Sequence, residues 1–463
     1  MSGHAIEVKK KYTGIELMRD APVGTAIIRL ALPMILAMLA QSIHSMIDMF
    51  FIGRTNDPNM VAAIALVMPV FFLSQALGNV FAVGGSSYIS RLLGAGNKDE
   101  ARHTSTVSLY TGFGLAVLLA LGMLLFKTPI LQLIGTSGAT YVHTDNYFSV
   151  IVMFMPVAAS SVVISAQIRS EGETQKAMRL QLIGIALNVV LTPIFVLGLR
   201  MGTAGAAWST AAGQSLSFLY GVRYLLSKTT IMSMRPRDYK PARRMMTQIL
   251  SIGIPSGISQ IVMSASNILS NRILASYGDH VVAGNGVQMR IVSMCFMLVF
   301  ALVNGYQPFA GYNYGAKQYD RLRKGFRLTL IYATGLCVVA SVVMRIFGAY
   351  FIQFFISDAL TIEAGAAIMR VFLWGLPFIG LQIIMMVSFQ AFGKPLQAMI
   401  ISLGRQCLLY LPLMLALNYL FGFEGFIWAL PAADILTTGI AVALGWSLFK
   451  LMRGGTDAPA KLI

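Results

Sequence analysis

Asp48 is the residue that most demands a chemical explanation. It lies in an otherwise apolar run over residues 25–53 that also holds Gln41, His44 and Ser45. Steps of three, four and seven residues place these polar side chains on one helical face. A charge near the middle of a bilayer costs at least ~2.5–3.5 kcal/mol on insertion scales, so an acid retained there marks a functional site by default. Desolvation disfavours an ionised carboxyl and a nearby cation favours it. Asp48, with the His44 imidazole one turn away, can therefore exchange a proton or hold a cation as its access to water alternates. Two plainer readings stand beside this one: Asp48 neutral or hydrated at the membrane surface, and His44 a hydrogen-bonded structural histidine.

Depth along the chain selects companions for Asp48. If the first apolar run leads outward, Asn188 and Thr192 in the fifth and Thr210 in the sixth fall with Asp48 in a layer of roughly 10 Å. Asn188 and Thr192 are four residues apart and share a face. All four offer oxygen atoms, which suits a proton network or a hard cation such as Na+. Ordinary interhelical hydrogen bonding is the alternative for Asn188, Thr192 and Thr210. In the second half, Asp434 is the acid deepest in an apolar run, and Arg290, Arg370 and Arg405 are candidates to pair with it. That pair reads as structural or as a second coupling site. Gln41 and the methionines Met34, Met38, Met153, Met263 and Met289 are candidates to line an adaptable cavity for bulky substrates. For any one methionine, lipid-facing or core packing is the alternative.

The elements that must position these residues are membrane helices. The 463-residue chain is 56% hydrophobic and only 11% charged, with a mean hydropathy of +0.71. Soluble domains carry roughly 25% charged residues. Twelve apolar spans are read near 25–53, 60–90, 104–126, 140–168, 177–199, 202–226, 247–276, 280–310, 326–348, 362–391, 395–420 and 425–449. The net charge of +17 lies mostly in short loops rather than on a soluble face, which argues against nucleic acid as a partner. Only Arg54, Lys127 and Arg200 fall in the odd-numbered loops, predicting both termini on the cytoplasmic side. Lys9, Lys10, Lys11 and Arg19 precede the first span with no cleavage-site pattern, so no removed signal peptide is expected. Cys295, Cys337 and Cys407 all lie in apolar runs and suggest neither a disulfide framework nor a metal site.

The organisation expected is a cytoplasmic segment (1–24), a first six-helix lobe (25–227), a charged linker (228–246), a second lobe (247–450) and a cytoplasmic tail (451–463). The lobes match in order. Pro33 corresponds to Pro255, Gly96-Asn97-Lys98 to Gly315-Ala316-Lys317, Met155-Pro156 to Leu376-Pro377, Gly172 to Gly393, and Gly205 to Gly425, at offsets of 219 to 222. Collinear matches of this kind indicate duplication. Six helices per copy make the repeats parallel, an arrangement suited to two lobes rocking about a shared site. No phosphate-binding G-x-x-x-x-G-K-[ST] and no loop of ATPase size is present. Uphill transport by this chain would draw on an ion gradient or a membrane potential, and no cofactor is expected.

These residues resemble the multidrug and toxic compound extrusion (MATE) family. The likeness covers nearly the whole chain. It includes Pro33 fifteen residues before Asp48, the Arg91-Leu92-Leu93-Gly94-Ala95-Gly96 segment, Gln167-Ile168-Arg169-Ser170-Glu171-Gly172, and Asn188 with Thr192-Pro193. The resemblance implies an all-α polytopic fold of two pseudo-symmetric six-helix bundles. It also implies export of bulky, often cationic drugs in exchange for H+ or Na+. In many members the first lobe carries an Asp like Asp48, an Asn like Asn188, a second Asp four residues later and a Thr like Thr210. Thr192 stands where that second Asp is expected. One negative charge is thereby missing, which weakens a tight sodium site and favours proton coupling. Pro33 is expected either to let the first span bend as Asp48 changes state or to fix a permanent kink. The reading is a monomeric ion-coupled exporter of a bacterial plasma membrane. Its rivals are a flippase for lipid-linked saccharides, which would want a cationic cavity, and a membrane-embedded enzyme, for which clustered acid–base or metal residues are lacking.

Overall fold

A computed structural model of the chain describes residues 12–55 and 57–453. The Lys9–Lys11 cluster and the tail from residue 454 lie outside the described residues. Long apolar runs form helices because hydrocarbon offers no partner for a free amide or carbonyl. In the first lobe these are α1 (Val23–Gly53), α2 (Pro58–Gly94), α3 (Lys98–Leu125), α4 (Tyr141–Ser170), α5 (Thr174–Pro193, prolonged by a wider turn over Ile194–Gly198) and α6 (Gly202–Leu225). The second lobe has α7 (Arg243–Ala275), α8 (Asp279–Gly315), α9 (Tyr319–Phe355) and α10 (Ala359–Ala391). A last rod runs through Pro395–Leu403, Gly404–Tyr410 and Leu411–Arg453. It breaks at Gly422, whose φ of 60° and ψ of −139° are non-helical. The parts before and after Gly422 are α11 and α12. Ten helices are long and apolar enough to cross a membrane by those criteria alone. The count becomes twelve because the last rod is two spans and α6, rich in Gly, Ala, Ser and Thr, is less apolar. No strand occurs among the described residues.

The helices overrun the expected spans. The ninth, expected over 326–348, occupies Tyr319–Phe355. At 1.5 Å per residue its 37 residues reach about 55 Å, well beyond the roughly 30 Å of hydrocarbon. Polar caps close several helices where the chain leaves this layer: Asp57 accepts from the Asn59 amide at 2.9 Å, Asn97 from Glu100 at 3.1 Å and Asp358 from Thr361 at 2.9 Å.

Duplication is visible in the turns. After α2, the amides of Ala95, Gly96 and Asn97 bond the carbonyls of Arg91, Leu93 and Leu92. After α8, those of Ala316, Lys317 and Gln318 bond Tyr312, Tyr314 and Asn313. The structural partner of Gly96 is therefore Lys317, an offset of 221, rather than Gly315. Both residues take a left-handed conformation, φ 80° and 55°. Sequence alignment slid by two residues because it matched glycine to glycine, whereas the turn matches backbone to backbone.

The same operation builds the seam between lobes, formed by α2 against α7 and α8 and by α1 against α8. A Cβ at Gly94 would stand 1.9 Å from the Tyr312 carbonyl oxygen, and one at Gly315 would stand 2.0 Å from that of Arg91. These contacts are reciprocal, as a two-fold interface requires. Gly84 against Ile249 and Gly253 against Val80 are as tight, at 2.1 and 2.0 Å, and Gly305 against Ala31 is close at 2.7 Å. All lie towards the end of the bundle that carries the linker, here the linker face.

That face is further tied down. Glu171 accepts from Tyr224 at 2.7 Å, from Thr230 at 2.8 Å and from the Ile231 amide at 2.6 Å. Ser105 and Thr106 donate to the Ser233 carbonyl, and Tyr110 to that of Met234. Much of the linker is thus fixed to the first lobe. A short helix, Gly14–Arg19, lies across both lobes. Arg321 and Asn313 of the second lobe hold the Met18 carbonyl at 3.1 and 3.3 Å, while Gly172 of the first lobe abuts the Gly14 carbonyl.

If the bare seam is what lets the lobes close here, Gly94→Ala should hold them apart at the linker face. Overpacking costs about 1–3 kcal/mol, a shift of about five- to hundredfold in the closed population. Spin labels at the exposed Lys98 and Asp320 should report a longer distance; an unchanged distance distribution would contradict this seam.

Candidate functional site

α1 carries Asp48 against α5, and α5 lies against α6. Thr192 on α5 is central. Its hydroxyl oxygen is 3.1 Å from Asp48 Oδ1, 3.1 Å from Asn188 Oδ1 and 2.9 Å from Ser209 Oγ. The Asn188 amide donates to the Thr210 hydroxyl at 3.2 Å. Thr210 and Ser209 both reach the Ala206 carbonyl, at 3.0 and 2.9 Å. On the other side of the carboxyl, His44 Nε2 is 3.3 Å from Asp48 Oδ2. Gln41 Nε2 lies 3.4 Å from His44 Nδ1. The imidazole protonated on Nε2 then accepts from Gln41 and donates to Asp48. The structure thus brings Asp48, His44, Asn188, Thr192 and Thr210 into one chain of hydrogen bonds and adds Ser209. That serine was invisible in the sequence except as one more hydroxyl beside Thr210.

Burial is graded along this chain. Thr192 and Ser209 are fully buried and Asn188 is 3% exposed, whereas the Asp48 side chain keeps 24% of its surface. A cavity of about 310 Å³ opens beside it, lined by Met34, Met38, Gln41, His44, Asn188 and Thr210 among others. Asp48 and Thr192 stand just behind that lining, and His44 and Asn188 are their points of contact with it. Arg169 also reaches the cavity, its guanidinium 2.9 Å from Ser165 Oγ. Three of the methionines read as cavity candidates do not line it. Met153, Met263 and Met289 are instead 62%, 43% and 44% exposed. Pro33 is buried within α1, which continues as helix on both sides of it. Among the described residues no group of three or more His, Cys, Asp or Glu could hold a metal ion. A monovalent cation would depend on the oxygens of Asp48, Asn188, Thr192 and Thr210.

In the second lobe Asp434 on α12 is fully buried, and Arg405 on α11 donates from Nε to its Oδ1 at 2.5 Å. Arg405 belongs to the wider turn Gly404–Tyr410, which aims it inward. Gln382 on α10 donates to the Asp434 carbonyl at 2.6 Å and to Thr438 at 2.9 Å. Arg290 does not join Asp434. It lies on α8 facing α1, with its guanidinium 3.8 Å from the Met49 sulfur. Arg370 is exposed and reaches only its own helix, the Ala366 carbonyl at 3.4 Å. Three arginines in apolar runs are equivalent on paper, and only helix rotation separates them.

Comparison with known proteins agrees with this architecture. The model of the MatE family matches residues 33–194 and 255–416, one match in each lobe. The chain is 29% identical over 428 residues to the multidrug export protein MepA of Staphylococcus aureus (strain N315), covering 92% of this chain and 94% of that protein. It is 28% identical over 429 residues to the protein of the same name from Staphylococcus haemolyticus (strain JCSC1435), covering 93% and 94%. Among solved structures, an outward-facing multidrug resistance MATE family transporter of the MOP superfamily superposes with a TM-score of 0.89 at 22% identity, covering 97% of this chain and all of that one. A MATE crystal structure in the bent conformation gives the same TM-score at 23% identity, covering 96% and 99%.

The buried pair of the second lobe can be tested apart from those likenesses. Removing one partner strands a charge, at about 3–5 kcal/mol, whereas replacing both with apolar groups is often neutral. Asp434→Leu or Arg405→Met alone should lower the thermal unfolding midpoint in detergent, and the double variant should recover most of the loss. A double variant no better than the singles would give the pair a role beyond packing.

Proposed function

The chain belongs to the MatE family, and on that premise we propose that it exports bulky, often cationic organic compounds by proton-coupled alternating access. The observation that carries this reading is the hydrogen-bond chain from the cavity through His44 to Asp48 and on to Thr210. Thr192 has one hydroxyl proton and faces two carbonyl-type acceptors, Asp48 Oδ1 and Asn188 Oδ1. With Asp48 ionised, that proton goes to the carboxylate and Asn188 Oδ1 goes without it. With Asp48 protonated, its own O–H donates to Thr192, and Thr192 is freed to donate to Asn188. Asn188 then donates to Thr210, and Thr210 to the Ala206 carbonyl. Asp48, Thr192, Asn188 and Thr210 are then linked donor to acceptor in one unbroken line. Protonation thus reverses the direction of one hydrogen bond and draws α1 and α5 together differently in the two states.

A two-state element of this kind can couple a proton to the lobes. When Asp48 is ionised its negative charge favours a cationic compound in the adjoining cavity. When it is protonated that attraction is gone, and release follows. Met34 and Met38 give the cavity wall adaptable apolar surface. Pro33, ten or more residues nearer the linker face, lacks an amide proton and can absorb a change in the tilt of α1. The charge bias of the loops supports a cytoplasmic linker face, with both termini on that side of a bacterial plasma membrane and the protein working as a monomer. Arg169 in the cavity favours a second reading, passage of an anionic headgroup as in a lipid-linked saccharide flippase. The relatives named as multidrug exporters, matched over more than nine-tenths of this chain, weigh against it. Family and relatives are transporters rather than enzymes.

Asp48→Asn should reduce dye efflux to the level of cells lacking the transporter while the protein still reaches the membrane; normal efflux would defeat the proposal. In everted vesicles, wild-type transport should collapse with the pH gradient and survive removal of sodium. Strict sodium dependence that persists when the pH gradient is dissipated would exclude proton coupling. Thr192→Asp, which restores a second carboxylate beside Asp48, should make transport respond to an imposed sodium gradient; complete indifference to sodium would mean that the charge count at this position does not select the ion.

A further inference from the structure

A second recess, larger than the Asp48 cavity, lies at the linker face where the lobes meet on the outside of the bundle. It has a volume of about 640 Å³. One wall is the start of α1, Pro22 to Gly24, and the other is the first turns of α9, with Arg321, Lys324, Arg327, Leu328 and Ile331. We propose that this groove seats an anionic phospholipid from the membrane leaflet on the linker side, with its phosphate on the three cations.

The order of residues along α9 carries the argument. Arg321, Lys324, Leu328 and Ile331 follow steps of three and four and so share one face, with Arg327 at its edge. α9 starts at the linker face, so the cations come first and the apolar residues follow with depth. Ile331 lies about 15 Å further along the axis than Arg321. A membrane lipid has the same sequence of chemistry, an anionic head followed by an acyl chain. Among the described residues the lining contains no carboxylate. Asp20, next to Arg321 and paired with Arg19 at 2.9 Å, offsets part of one charge and leaves a surplus of positive charge.

Several details suit a lipid rather than a chance patch of positive loop residues. Lys324 and Arg327 are exposed, and Ile331 keeps 54% of its surface although it faces the groove. Gly24 opens the opposite wall: a Cβ there would still be 3.8 Å from the Tyr332 hydroxyl and 3.9 Å from Leu328. Arg321 is already fixed in place, donating to the Ala21 carbonyl at 2.7 Å and to that of Met18 at 3.1 Å. Its Nε is buried and has no hydrogen-bond partner among the described residues. A bound lipid would touch α1 of the first lobe and α9 of the second together, and so favour the arrangement in which the linker face is closed.

Native mass spectrometry of the full-length protein, released from detergent with phosphatidylglycerol or phosphatidylcholine added, tests the proposal. Wild type should retain phosphatidylglycerol in preference to phosphatidylcholine, and millimolar inorganic phosphate should not displace it. Each cation near an anionic surface contributes about fivefold, so Lys324→Gln with Arg327→Gln should weaken retention about thirtyfold. Gly24→Leu, which fills the groove and leaves the charge alone, should also weaken it. Both variants should unfold at the wild-type temperature without lipid, which separates loss of the site from loss of the fold. Equal retention of the two lipids by wild type, or unchanged phosphatidylglycerol retention in both variants, would overturn the assignment. Displacement by phosphate alone would overturn the lipid as occupant.

Discussion

A carboxyl group placed among apolar side chains is costly unless the protein offers it polar partners, and at Asp48 those partners tie the first lobe together. One oxygen takes His44 from its own helix and the other takes Thr192 from α5. Thr192 is in turn held by Ser209 of α6 and bound to Asn188 one turn away. Three helices are therefore tied at one depth by groups that have few other partners. An unsatisfied polar group at that depth costs several kcal/mol, so the three helices answer jointly to whatever happens at the acid.

The second lobe shows what the same frame becomes without the acid. An offset of 222 residues, the one relating Pro33 to Pro255, carries Asp48 to Ser270 and Thr192 to Met414. Ser270 does contact Met414, its hydroxyl 3.3 Å from the sulfur, and also bonds the Tyr410 hydroxyl at 2.6 Å. The contact between the equivalents of α1 and α5 has survived duplication, and its charge has not. The lobe keeps its acid elsewhere, in Asp434, where Arg405 neutralises it directly. The asymmetry leaves the first lobe with a partly exposed acid beside a cavity and the second with a buried ion pair.

Much of this was legible in the sequence because membranes impose coarse rules. Span length, the polar stripe of α1 and the duplicated motifs each follow from a period or a cost that composition alone reveals. Asp48, Asn188, Thr192 and Thr210 could be grouped by depth because consecutive spans reverse direction. What depth cannot supply is rotation about each helix axis. Rotation decided that Arg405 and not Arg290 meets Asp434, that Met34 and Met38 face the cavity while Met153, Met263 and Met289 do not, and that Ser209 meets Thr192. The register of the repeat failed for a different reason. Gly96 and Lys317 adopt the same left-handed turn with unlike side chains, and such a match is silent in sequence.

The seam between the lobes sets the terms on which coupling can act. Its tightest contacts are bare glycine backbones at α2–α8 and α2–α7, which make close van der Waals approach and form few hydrogen bonds across the gap. The polar links there are sparse: Ser87 to the Gln390 carbonyl, and Arg91 to Gln248 at 3.1 Å. Separating such surfaces would strand fewer polar groups than parting a seam laced by ion pairs. The helix Gly14–Arg19, held through the Met18 carbonyl, adds a local fastening between the lobes at the linker face. In the proposed coupling, a change of one hydrogen bond at Asp48, worth about 1–3 kcal/mol when a charge is involved, would be weighed against this seam. Against an interface that cost tens of kcal/mol to part, the same carboxyl could take and lose its proton with no effect on the lobes.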